Sequence, residues 1–164
     1  MKRVIWLEGL FIFTALGFFT TNGVADELYY TEFADEDGAF IQEVTGNSPI
    51  PAVYSSDLGT WSMEGDDSGP ATNYLTSPEI GLEGAWGVRV IFDHRYSIEA
   101  EWDAVALEVS VDGDDFQFIP NSAFTVNGYT YSDLKGNHVF KGGEGFNGDS
   151  EGYSQREFIT SMVE

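Results

Sequence analysis

The residues of this chain best suited to chemistry fall in two short clusters and one neighbouring aromatic. The first cluster is FADEDGAF, residues 33–40, where Asp35, Glu36 and Asp37 precede Gly38. Carboxylate oxygens beside a sharp turn are what a calcium loop requires, and Asp35 and Asp37 are its candidate ligands. The twelve-residue helix-loop-helix calcium pattern is absent, however, and the same residues suit a solvated hairpin turn. The second cluster is His94, Tyr96, Glu99 and Asp103. His94 and Tyr96 are candidates for ligand binding, and Glu99 and Asp103 for a metal. A buried network joining Tyr96, His94 and Asp103 satisfies the same residues without any ligand, because buried polar groups need partners. Trp102 lies in the segment between Glu99 and Asp103 and is the candidate exposed platform on which a sugar ring could stack.

No catalytic motif accompanies these residues. The two histidines, His94 and His138, are too far apart to form a His-Glu-x-x-His zinc signature, and neither a Gly-x-Ser-x-Gly elbow nor a phosphate loop occurs. The absence of cysteine removes disulfides, thiolate metal sites and a cysteine nucleophile. A glycosidase needs only two well-placed carboxylates, so a small hydrolase working with paired acids such as Glu99 and Asp103 is the alternative enzymatic reading.

The elements that must position these groups read as strands. Short alternating runs punctuated by Gly, Asn, Asp and Ser, with little helical periodicity, predict an all-β domain. Strands are expected at 28–33, 39–43, 73–77, 86–96, 104–111, 116–119, 137–141 and 158–163, with long loops at 44–72 and 142–155. On 86–98 the even positions Trp86, Val88, Val90, Phe92, His94, Tyr96 and Ile98 form the apolar face. An antiparallel partner at 103–111 is expected to set Tyr96 opposite Asp103 and His94 opposite Val105. The next hairpin is expected to set Val111 opposite Phe116 and Val109 opposite Phe118 around the loop DGDD, 112–115. That meander has one apolar face, and with no amphipathic helix to cover it a second sheet is the natural partner. Val109 is therefore expected in the core, and Val109→Asp to abolish folding.

The amino terminus reads as a secretory leader. Lys2 and Arg3 precede an apolar run from Leu10 to Phe19, and Gly23 and Ala25 stand where small residues favour cleavage, expected after Ala25. A run of about ten apolar residues is too short to span a bilayer. Residues 26–164 are then a single exported domain, secreted or held at a bacterial cell surface. The chain's net charge of −21 becomes −22 once Lys2, Arg3 and Glu8 leave with the leader. Nucleic acid is a poor partner for such a surface, since phosphate recognition needs clustered cations.

The stretch 74–119 resembles the MAM-like, jelly-roll accessory domains of secreted bacterial peptidases of the immune-inhibitor and fungalysin type. The matching residues are Leu75 to Ile80 (LTSPEI), Phe92 to Tyr96 (FDHRY), Glu99, Asp103 and Leu107 to Gly113 (LEVSVDG), with weaker echoes at 128–133 and 140–163. The resemblance implies a two-sheet antiparallel β-sandwich without catalytic activity, serving adhesion or substrate targeting through an extracellular carbohydrate or protein. It also implies structural calcium near the first strands in some members, which would fall on Asp35 and Asp37. Such domains continue through two further strands. Their lack after Glu164 leads to the expectation of a shortened domain with an open sheet edge, completed by another chain or by a second copy. A structural assembly subunit is a further alternative.

Overall fold

The computed structural model describes residues 6–9, 13–18, 25–47, 50–64, 71–82, 85, 87–135 and 142–164. In chain order its strands are β1 (Trp6–Gly9), β2 (Phe13–Phe18), β3 (Ala25–Thr31), β4 (Ile41–Gly46), β5 (Val53–Ser55), β6 (Thr60–Glu64), β7 (Ala71–Thr76), β8 (Val88–His94), β9 (Glu108–Val109), β10 (Gln117–Phe118), β11 (Phe124–Val126), β12 (Tyr131–Ser132), β13 (Glu144–Gly145) and β14 (Ile159–Val163). Two single-turn 3-10 helices, at Asn121–Ala123 and Tyr153–Gln155, are the only helical elements among the described residues. The chain is all-β, and among the described residues no helix is long and apolar enough to cross a membrane.

The largest sheet has five strands in the order β11-β14-β8-β2-β3, every pair antiparallel. Smaller assemblies surround it: β1-β6-β5, the ribbons β4-β7 and β12-β13, and the hairpin β9-β10. β1 and β2 fall within the segment read as a leader, whose Gly23 lies outside the described residues, as do the expected strand 137–141, Trp86 and His138. β5 and β6 occupy part of the expected loop 44–72.

The expected face of β8 is the buried one. Phe92 and His94 point inward, as do Tyr96 and Ile98 just beyond the strand. β14 pairs so that His94 faces Ile159, Phe92 faces Ser161 and Val90 faces Val163, which brings the inward residues of both strands to one side. On the other side Asp93 accepts a hydrogen bond from the Thr160 hydroxyl. Arg95, also on that side of the alternation and largely buried, lies over the rings of Tyr153 and Phe158, which offset part of the cost of withdrawing its charge from water.

The expected meander is corrected. β8 is flanked by β14 and β2, so both of its edges are taken and 103–111 has no place beside it. Val105 instead exchanges two backbone hydrogen bonds with Phe146, at 3.1 and 2.8 Å, and the chain then leaves the sheet as the β9–β10 hairpin. That hairpin is also out of the expected register. Val109 faces Gln117 and Glu108 faces Phe118, a slip of one residue. The turn explains it. Asp112 and Gly113 both have positive φ, 56° and 82°, and the Asp114 N–H donates to the Val111 carbonyl at 3.0 Å. This is the tight two-residue Asp-Gly turn whose twist suits a hairpin, rather than a four-residue loop. A one-residue slip turns side chains over, and Val109, Val111, Phe116 and Phe118 are all exposed.

What covers β8 is a strap of irregular chain, residues 143–150, in the expected loop 142–155. It runs past 96–98, 105 and 130–134 and bonds to each: Ile98 N–H to Gly148, Ser150 N–H to Tyr96, Thr130 N–H to Gly145. Gly145 is required there, since a Cβ would stand 2.7 Å from that of Ala104. The adjacent Phe146 is completely buried, its ring centroid 4.5 Å from His94, 5.0 Å from Tyr129, 5.5 Å from Tyr96, 5.7 Å from Phe124 and 6.2 Å from Phe92. A second, smaller core gathers Phe33, Ala52 and Trp61, and Met63 packs against both. β14 is paired on both sides, so the edges of the large sheet are β3 and β11, not the last strand.

Phe146→Ala should cost about 3–5 kcal/mol in urea unfolding, the range for deleting a fully buried aromatic ring. Val109→Asp should change stability by less than about 0.5 kcal/mol, because the side chain faces water. Equal damage from the two would mean that the hairpin packs inward as the sequence alone suggests.

Candidate functional site

The residues between β8 and β9 form one tight turn rather than a six-residue hairpin loop. The Glu99 carbonyl accepts the N–H groups of Trp102 and Asp103, each at 3.3 Å, and Glu101 takes a positive φ of 71°. This turn is fixed from below by Asn147, the strap residue next to Phe146. The Asn147 side-chain amide donates to the carbonyls of Glu99 (3.0 Å) and Asp103 (2.7 Å), and its oxygen accepts the Glu101 N–H (3.1 Å). Its main chain is held in turn by Thr130, whose hydroxyl accepts the Asn147 N–H (2.8 Å) and donates to the Asn147 carbonyl (2.9 Å). On the outside, the Lys135 ammonium pairs with the Glu101 carboxylate and holds that carboxyl below its ordinary range. Trp102 sits on this turn with 42% of its surface exposed.

His94 and Tyr96 stand elsewhere. They are 2% and 0% exposed, stacked on each other at 5.5 Å under Phe146, and reach no surface. His94 Nε2 lies 2.7 Å from the hydroxyl of Ser161, itself fully buried. Ser161 donates its one proton to the Asn127 carbonyl at 2.6 Å, so the His94 ring must carry its proton on Nε2 and donate to Ser161. The pair has the separation of a nucleophile and its base, yet the proton runs the wrong way and no solvent reaches it. Burial drives the His94 pKa down from 6.5 to about 3, so the ring is neutral in the folded protein. Burial likewise pushes Tyr129 up to about 12, its phenol oxygen accepting the Leu107 N–H at 2.8 Å.

The expected network of Tyr96, His94 and Asp103 is thus divided: His94 and Tyr96 belong to the aromatic core, and Asp103 to the Asn147 turn. Asp35 and Asp37 lie on a different loop, exposed, over the second core. There Asp37 caps its own turn, its carboxylate accepting the Ala39 N–H at 2.9 Å and its carbonyl the Trp61 indole at 3.0 Å. Among the described residues no three histidine or carboxylate groups come together as a metal-binding cluster. The structure therefore joins Glu99 to Asp103 through one turn and keeps Asp35 and Asp37 apart from them. Ser161 and Asn147 escaped the sequence reading. Ser161 has the inward parity of β14 and could have been found from it, whereas Asn147, within GFNGD, looks like any other loop residue.

Compared with known protein families, with curated proteins and with solved structures, the chain matches none. The functional reading rests on its own geometry.

A histidine held neutral below its unfolded pKa makes the fold sensitive to acid. Its contribution is complete above about pH 6.5 and is lost progressively as pH falls toward 3, because the unfolded chain binds a proton that the folded chain refuses. Urea melts between pH 7 and 4 should show stability falling with pH, and His94→Gln should flatten that dependence. Asn147→Asp, which turns a donor into a carboxylate facing two carbonyls, should lower stability by about 2–3 kcal/mol at pH 7.

Proposed function

We propose that this chain is an exported, noncatalytic recognition module of the jelly-roll accessory kind that its central stretch resembles, and that it binds extracellular carbohydrate through Trp102. The observation that carries the reading is the pinned turn. An indole exposed on a turn already held by Asn147 and by the Glu101–Lys135 pair can engage a ligand without first being ordered, which keeps the entropy cost of binding low. Flat, half-exposed aromatic rings offer the apolar faces of a sugar a surface that water solvates poorly. Two further features support a noncatalytic role: the His94–Ser161 pair is sealed in the core, and the acidic residues sit mostly at the surface, unassembled.

Export with cleavage after Ala25 would remove β1 and β2. The edges of β8 and β3 that β2 now joins would then have to pair with each other or with another chain, which is the form a completing partner or a second copy would take.

Affinity electrophoresis through gels containing soluble neutral polysaccharides tests the carbohydrate reading. At least one polysaccharide should retard the protein and quench its indole fluorescence, and Trp102→Ala should abolish the retardation while leaving the melting temperature unchanged. Equal retardation of the variant, or free migration of the wild type in every gel, would count against the proposal.

A further inference from the structure

The β9–β10 hairpin is the least expected surface of the molecule. Its root is fixed: Val105 is bridged to Phe146, the Leu107 N–H donates to Tyr129, and the Ile119 N–H donates to the Leu107 carbonyl at 3.0 Å. Beyond that root Val109, Val111, Phe116 and Phe118 are each about half exposed, at 45%, 53%, 53% and 48%. The two strands have no third neighbour among the described residues.

The hairpin's irregular side is closed internally. Between the Asp-Gly turn and the Val109–Gln117 pair, Asp115 and Phe116 stand opposite the single residue Ser110, a bulge. The Ser110 hydroxyl donates to the Asp114 carbonyl at 2.6 Å, and the Gln117 amide donates to the carbonyls of Phe116 (3.0 Å) and Asp115 (3.3 Å). The backbone of the bulge is thus satisfied locally, while its apolar side chains are left to water. Large contiguous apolar exposure on a folded chain marks a contact surface.

Charge says what kind of contact. Glu108, Asp112, Asp114 and Asp115 surround the four apolar side chains, and the sequence holds no lysine or arginine between Arg95 and Lys135. A second copy brought to this surface would set those carboxylates against their own likes, in a chain already at −21. A cationic partner meets no such repulsion. We propose that the 107–119 hairpin docks a basic segment of another polypeptide, one whose apolar side chains cover Val109, Val111, Phe116 and Phe118 while its lysines or arginines meet the surrounding acids. This surface is separate from the Trp102 turn.

Fluorescence anisotropy with the full chain tests it, using a labelled eight-residue peptide alternating lysine and leucine, with a glutamate–leucine peptide and octalysine as controls. The lysine–leucine peptide should bind more tightly than either control, and Phe116→Ser with Phe118→Ser should weaken it roughly tenfold or more, as loss of anchoring aromatics does. Trp102→Ala should leave this binding unchanged. Val109→Ser with Val111→Ser gives a second reading from the other strand should the first double variant lose its fold. Binding that is the same in both double variants, or no stronger than that of octalysine, would overturn the proposal. So would a wild-type dimer that the phenylalanine variant converts to monomer, which would make the hairpin a self-contact.

Discussion

The structure hangs on one short piece of irregular chain, the strap from Gly143 to Ser150, and within it on the adjacent pair Phe146 and Asn147. One residue points into the core and fills the space among His94, Tyr96, Phe124, Tyr129 and Phe92. The next satisfies the backbone of the turn at 99–103 with its side-chain amide. A turn without a ladder partner must still place its carbonyls and N–H groups somewhere, and here a single asparagine accepts that role. Apolar burial and polar satisfaction are therefore coupled: displacing the strap exposes an aromatic ring and orphans three backbone groups at once.

That coupling separates the two surfaces on which a function can be argued. The Trp102 turn sits directly on the strap and inherits its rigidity. The β9–β10 hairpin stands one step out, rooted at Leu107 and Ile119 but free of the core beyond them. A rigid aromatic on a pinned turn suits a small, flat ligand such as a sugar. An apolar hairpin ringed by carboxylates suits a longer, basic one.

Much of the sheet was legible because strand alternation is local. The inward parity of Phe92, His94, Tyr96 and Ile98 follows from their spacing alone, and β4, β7 and β14 lie within a few residues of where apolar runs and turn residues set them. Legibility failed wherever the question was which strand meets which. The 103–111 segment is as good a strand by pattern as any, yet β14 and β2 hold the edges of β8 and it has nowhere to pair. The hairpin register failed for a narrower reason: the apolar pattern favours uniting the valines with the phenylalanines, and the Asp112-Gly113 turn prefers closure two residues earlier.

By itself the sequence determined the all-β class, the absence of cysteine chemistry, the acidity that disfavours nucleic acid, and the inward face of β8. Each is a property of composition or of residues two apart, and no distant contact is needed to state it. Only the tertiary structure decided that His94 is buried against Ser161 rather than offered to a ligand, that the candidate metal carboxylates stay apart, that an unremarkable asparagine holds the Trp102 turn, and that four apolar side chains face water. These depend on which strands win β8's two edges, a competition among contacts far apart in the chain that local pattern does not encode.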